Sequence, residues 1–92
     1  MMKSIIQDIK ECWFCGSRFN LHKHHIFMGS RRKASEKYGC HCYLCAYHHN
    51  MSDNSVHNNR SMDMQLKRVA QHRFEDEHGH EKFMQVFGKN YL

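Results

Sequence analysis

Apolar positions fall into short clusters separated by polar and histidine-rich stretches, and each cluster predicts its own element. Met62, Leu66, Val69, Ala70 and Phe74 recur at helical steps, so a helix is predicted from Ser61 to His78, with Ser61 as N-cap and Asp63 in the first turn. Gly79 ends it. A last short helix, His80 to Phe87, buries Phe83, Val86 and Phe87 before Gly88. On the long helix Lys67, Arg68 and Gln71 face outward, and Glu75-Asp76-Glu77 crowd the C-terminal end, where the helix dipole disfavours them. Met51, Met62 and Met64 read as core filler.

The first half of the chain is built on shorter periods. Leu21 to Met28 and Cys40 to Leu44 read as two strands, the first closed by Gly29-Ser30. About ten residues join them, with one helical turn from Ala34 to Tyr38 ended by Gly39. Cys45 to Met51 opens a helical turn that the polar run Ser52-Asp53-Asn54-Ser55 interrupts before Val56-His57. Ile5, Ile6 and Ile9 leave Ser4 to Lys10 as a short helix or a tail.

Composition narrows what such a chain can be. Ninety-two residues allow one small α+β domain, 1–92, with a compact part at about 11–60 and helices at about 61–88. Fourteen Lys and Arg against nine Asp and Glu leave a net charge of +5, which points to an acidic partner, nucleic acid first. No apolar run approaches the roughly 20 residues of a membrane-spanning helix. The opening Met-Met-Lys-Ser-Ile-Ile-Gln-Asp-Ile-Lys has neither an unbroken apolar stretch nor a cleavage site, so no secretory signal and a cytoplasmic location are expected. An odd five cysteines in a reducing compartment favour a structural metal over disulfides, and zinc is the natural staple for so small a core.

The cysteines permit two registers for that zinc. Cys12-x-x-Cys15, with Gly16 at the turn, pairs either with Cys42-x-x-Cys45 or with Cys45-x-x-His48. Ten histidines add a second theme. His22, His24 and His25 lie on the first strand, and His48, His49 and His57 follow the second, so closing the hairpin brings His24 or His25 near His49. In adjacent pairs one imidazole can hold a divalent ion while its neighbour accepts a proton, a division of labour that suits phosphodiester hydrolysis. Arg31, Arg32 and Lys33 lie between the strands, with Arg18 and Lys23 nearby, and read as contacts to a nucleic-acid backbone. Such contacts position a duplex without reading bases, and no recognition helix is evident, so sequence specificity is expected to be low or supplied by a partner.

The strings Leu21-His22-Lys23-His24-His25-Ile26-Phe27, Tyr43-Leu44-Cys45-Ala46-Tyr47-His48-His49 and Val56-His57-Asn58 resemble the HNH endonucleases, most closely their small phage and prophage members. The resemblance runs from about Cys12 to Asn59, and the tail from Arg60 to Leu92 also looks like those phage proteins. It implies a ββα-metal finger, two strands and a helix around one catalytic divalent ion, stapled by a structural zinc. It places His25 as general base, His24 and His49 as ligands of the catalytic ion, and Cys12, Cys15, Cys45 and His48 as the zinc site. His57 would complete the catalytic metal sphere or contact the phosphate. The ion would be Mg²⁺ or another divalent metal such as Mn²⁺ or Ni²⁺. One departure stands out: the family's middle asparagine falls at Cys40 or His41, so His41, or Asn50 or Asn58 from elsewhere, would have to orient the base.

Two functions follow as expectations. One is a metal-dependent DNA endonuclease whose partners are DNA and, for two-strand cleavage, a second copy of the chain or a phage or host recombination or packaging protein. The other is a non-catalytic zinc-finger module that binds nucleic acid or a phage or host protein. A purely structural zinc-stapled phage protein would leave His24, His25 and His49 without a reason.

Overall fold

The computed structural model describes residues 3–92; Met1 and Met2, which open the stretch read above for a secretory signal, lie outside the described residues. Strand β1 (Leu21–His25) pairs antiparallel with β2 (His41–Cys45), and between them run a 3-10 turn (Gly29–Arg31) and helix α1 (Arg32–Lys37). After β2 come α2 (Ala46–His49), α3 (Arg60–His78) and α4 (His80–Phe87), so the architecture is a small α+β one. None of the helices among the described residues is long and apolar enough to cross a membrane.

Side chains alternate across a strand, and the register therefore decides which residues meet. Leu21 lies opposite Cys45, Lys23 opposite Tyr43 and His25 opposite His41, and these pairs share one face. His22 and His24, opposite Leu44 and Cys42, take the other.

Both strands differ from the sequence expectation, the second at both ends, since it also runs on to Cys45 instead of stopping at Leu44. The first stops at His25 instead of Met28: the Ile26 N–H still reaches the Cys40 carbonyl, but the Phe27 N–H turns to Ser35 Oγ instead of to β2. The second starts at His41 instead of Cys40, whose N–H is bonded to the Ser35 carbonyl at 2.8 Å. Ser35 itself, fully buried, accepts from the Phe27 N–H at 3.0 Å and donates to the Cys40 carbonyl at 2.8 Å, clasping the crossover shut.

The core stacks Phe27, Phe74, Phe83 and Phe87 over Ile26, Leu44, Leu66 and Ala70, with Phe27 and Phe87 ring centroids 4.3 Å apart. Helix α3 begins one residue earlier than expected, and its cap is Asn59 in place of Ser61. The Asn59 side-chain oxygen accepts from the Ser61 and Met62 N–H groups at 3.0 and 3.3 Å. Gln71, expected to face solvent, is buried. Its amide donates to Glu75 and Asn90, both at 2.7 Å, and its oxygen accepts from the Tyr91 N–H, so the C-terminal tail covers it. Met51, expected in the core, is 73% exposed on the loop after α2. Gly88 ends α4 with φ +73, and Arg31 spans that end by donating to the Val86 carbonyl at 3.1 Å. A Cβ at Gly88 would meet the Arg31 guanidinium at 2.7 Å.

Ser4 to Lys10 forms no regular element and behaves as the tail alternative. It is nevertheless anchored: the Ile5 N–H donates to the Gly39 carbonyl, the Tyr43 N–H donates to Gln7 Oε1, and the Trp13 N–H donates to the Tyr43 carbonyl. Ser4 Oγ donates to the His41 carbonyl. These bonds lay the N-terminal segment along β2.

Candidate metal centres

Cys12 and Cys15 are presented by a tight turn in which the Gly16 N–H returns to the Cys12 carbonyl at 2.8 Å and Gly16 takes φ +76. The end of β2 supplies Cys45, and the first turn of α2 brings His48 beside it. The ligand atoms of Cys12, Cys15, Cys45 and His48 all lie within 4.8 Å of one another. A tetrahedral zinc site requires edges of roughly 3.8 Å between sulfurs and roughly 3.5 Å between sulfur and nitrogen. The observed edges are 3.8 Å for Cys15 to Cys45, 3.6 Å for Cys12 to His48 Nδ1 and 3.3 Å for Cys45 to His48 Nδ1. This group could therefore hold a structural metal such as zinc.

The thiols do not divide simply into ligands and core: the Ser17 backbone amide lowers Cys15, but desolvation and the neighbouring Cys12 and Cys45 thiols outweigh it and raise it. Burial raises Cys12, but the backbone amides of Cys45, Cys15 and Phe14 outweigh it and hold the thiol at about 6, ready to ligate. Burial pushes Cys40 and Cys42 up to about 12. These two are core residues, and the register that paired Cys42 with Cys45 is not the one the fold assembles: Cys42 points to the sheet face opposite Cys45.

A second group forms at the open edge of β1. His24 comes from the strand, His49 from α2 and His57 from the end of the following loop, and their ring nitrogens also lie within 4.8 Å of one another. His49 Nε2 and His57 Nε2 are 3.1 Å apart, close to the roughly 3.3 Å separating two imidazole nitrogens on one tetrahedral ion. His24 is 2% exposed, and its Nε2 has no hydrogen-bond partner among the described residues. Burial, and then the neighbouring His49 and His57, hold His24 down at about 3; burial with His57 and His22 holds His49 at about 4. Neutral imidazoles with an orphaned, inward nitrogen are the donor set a divalent metal takes. The loop that delivers His57 is tied by Asn58, whose amide donates to the Asn50 and Ser52 carbonyls and to Ser55 Oγ.

His25 lies on the opposite sheet face from His24, yet both line one groove with Lys23, Met28, Arg32, His49 and His57. Its Nε2 is 2.9 Å from Glu36 Oε2, and Glu36 Oε1 takes Lys23 Nζ at 2.8 Å. Lys23, ahead of the opposing effect of burial and the smaller help of His25, holds the Glu36 carboxyl at about 2. His41 is buried on the same face as His25, ring centroids 6.4 Å apart. Of the basic residues, Arg32 lines the groove, Lys33 and Arg18 are exposed, Lys23 is shared with Glu36, and Arg31 is engaged at the end of α4.

Ser35 and Glu36 escaped the sequence reading, which placed His22 on the first strand with His24 and His25 but gave it no role. His22 Nδ1 stands 2.8 Å from His49 Nδ1. Glu36 and Ser35 sit on the short helix inside the crossover, where only the three-dimensional return of the chain places them against β1. Comparisons of the chain with protein-family models, curated proteins and solved structures find no match.

Proposed function

We propose that the chain is a metal-dependent DNA endonuclease with the ββα-metal finger of the HNH type, His25 serving as general base. The observation that carries this reading is the convergence of His24, His49 and His57 beside the two-stranded sheet, in one groove with His25 and next to a Cys12, Cys15, Cys45 and His48 group that could hold zinc. A divalent ion held by those three histidines would supply positive charge to the phosphate and to the departing 3′ oxygen. An all-imidazole set favours Mn²⁺, Ni²⁺ or another transition metal over Mg²⁺.

The chain's own residues supply the rest. Glu36, kept anionic by Lys23, accepts the His25 Nε2–H and so leaves the Nδ1 lone pair to take a proton from water. The water oxygen then bonds to phosphorus as the P–O3′ bond breaks. Ser35 fills the clasping role that the asparagine has in the family, which relieves His41 of it. Arg32 in the groove and Lys33 on the same short helix bring positive charge to the DNA backbone, so binding weakens with salt. Supercoiled-plasmid nicking tests the reading: metal-dependent nicking by the wild type and its loss in His25→Ala support it. DNA binding without nicking under any divalent ion would favour the non-catalytic zinc module.

A further inference from the structure

A larger cavity than the histidine groove opens among the described residues. It lies on the other face of the sheet, about 420 Å³, under the N-terminal segment, and Lys3, Lys10, Lys23, Tyr43, Gln7 and Asp8 are among the residues that line it. Lys3 and Lys10 against Asp8, with Lys23 shared with Glu36, leave it attractive to an anion. Tyr43 offers an aromatic surface beside them, with Lys10 Nζ 5.1 Å from the ring centroid. The walls are fixed: the Gln7 oxygen holds the Tyr43 N–H at 2.8 Å, and Ile5 and Trp13 pin the segment on either side. Lys23 lines both this cavity and the groove that contains His24, His25, His49 and His57. A strand lying in the groove would therefore pass Lys23, over the β1 edge, to reach the cavity.

We propose that this cavity is a nucleotide subsite, taking one unpaired nucleotide of the strand whose backbone occupies the histidine groove, its base against Tyr43 and its phosphate among the lysines. This rests on the nuclease reading and sharpens it, because a subsite for an unstacked base selects DNA with a single-stranded, nicked or branched flank over continuous duplex. Stacking on an aromatic side chain tolerates any base, which agrees with the lack of a base-reading helix.

The test is fluorescence anisotropy on zinc-loaded His25→Ala protein at low salt, with no other divalent ion, using labelled oligothymidylate and, as competitors, dTMP and inorganic phosphate. The expected result is oligomer binding that weakens about tenfold in Tyr43→Leu and severalfold in Lys10→Glu, with both competitors far weaker than the oligomer. Lys10 is exposed, so its variant reports on the subsite even if Tyr43→Leu disturbs the fold. Oligomer binding unchanged in both variants would overturn the subsite and leave the nuclease reading standing. Competition by dTMP equal to that of the oligomer would overturn the strand path, and equal competition by phosphate would overturn base recognition. Absence of oligomer binding to a protein that still nicks plasmid in the wild-type form would overturn this proposal alone.

Discussion

At the residue scale, the histidine site depends on where single protons sit. If His49 presents Nε2 to a metal, its Nδ1 must carry the hydrogen, and the 2.8 Å contact makes His22 Nδ1 its acceptor. In that arrangement His22 would act as a positioning residue, fixing the tautomer and ring angle of His49 without touching the ion. Replacing it with leucine should weaken binding of Mn²⁺ or Ni²⁺ at the His24, His49 and His57 cluster by roughly tenfold or more, while glutamine, which keeps an acceptor, should recover much of the loss. Isothermal titration of the zinc-loaded protein would measure both, and equal affinities in all three proteins would remove His22 from the site. The sequence made the ligand residues themselves legible, since His24, His49 and His57 are chemically conspicuous and the hairpin had to bring them together. Their supporting partners were hidden because Glu36 and His22 carry no spacing signal; the crossover's return and the hairpin register create those contacts.

At the element scale, the hairpin holds its shape through the short helix inserted between its strands. A polar residue at the base of this crossover, Ser35, satisfies the Phe27 N–H and adds a second bond to the Cys40 carbonyl, which also accepts from the Ile26 N–H at 3.0 Å. Ser35→Ala should cost about 2 kcal/mol, read as a shift of the urea midpoint at unchanged slope, because the buried Phe27 N–H loses its partner and the Cys40 carbonyl loses one of its two donors. A change below about half a kcal/mol would mean that water or backbone movement replaces the serine. The helices show how far periodicity reaches. Leu66, Ala70 and Phe74 repeat at helical steps and were read correctly as a buried face, and Gly79 and Gly88 marked the ends. Gln71 was misread because the C-terminal tail folds back on it, a tertiary event with no local signature. The cap moved from Ser61 to Asn59 because both residue types accept hydrogen bonds and only the chain's entry angle decides between them.

At the scale of the whole molecule, two groups that could hold a metal ion flank one small sheet, and the proposed reading gives them different duties. The Cys12, Cys15, Cys45 and His48 group ties the N-terminal turn to the end of β2 and the start of α2, the same helix that carries His49. A structural metal there would hold the histidine groove open in its working form, and a domain of this size has little core to substitute for it. Stripping zinc with a strong chelator, or Cys12→Ser, should therefore lower the thermal midpoint sharply and abolish metal binding at the histidine cluster as well, followed by calorimetry and metal analysis. Retention of the full midpoint after zinc removal would show that the aromatic core of α3 and α4 stands by itself. The legible part of the molecule was thus its chemistry-bearing half, where cysteine and histidine spacings restrict the fold, whereas the cavity under the N-terminal segment arises from hydrogen bonds that no motif encodes.

In the proposed reading, His25, aligned by Glu36 beside the histidine cluster, makes the chain a phosphodiesterase. Nicking of supercoiled plasmid at low salt, compared between wild type and His25→Ala with equal zinc content, across Mn²⁺, Ni²⁺, Mg²⁺ and chelator, tests it most directly. Metal-dependent nicking by the wild type that falls at least a hundredfold, roughly the lower bound for loss of a general base, is the predicted result. Equal nicking by the two proteins, or none by either while zinc stays bound, would contradict it.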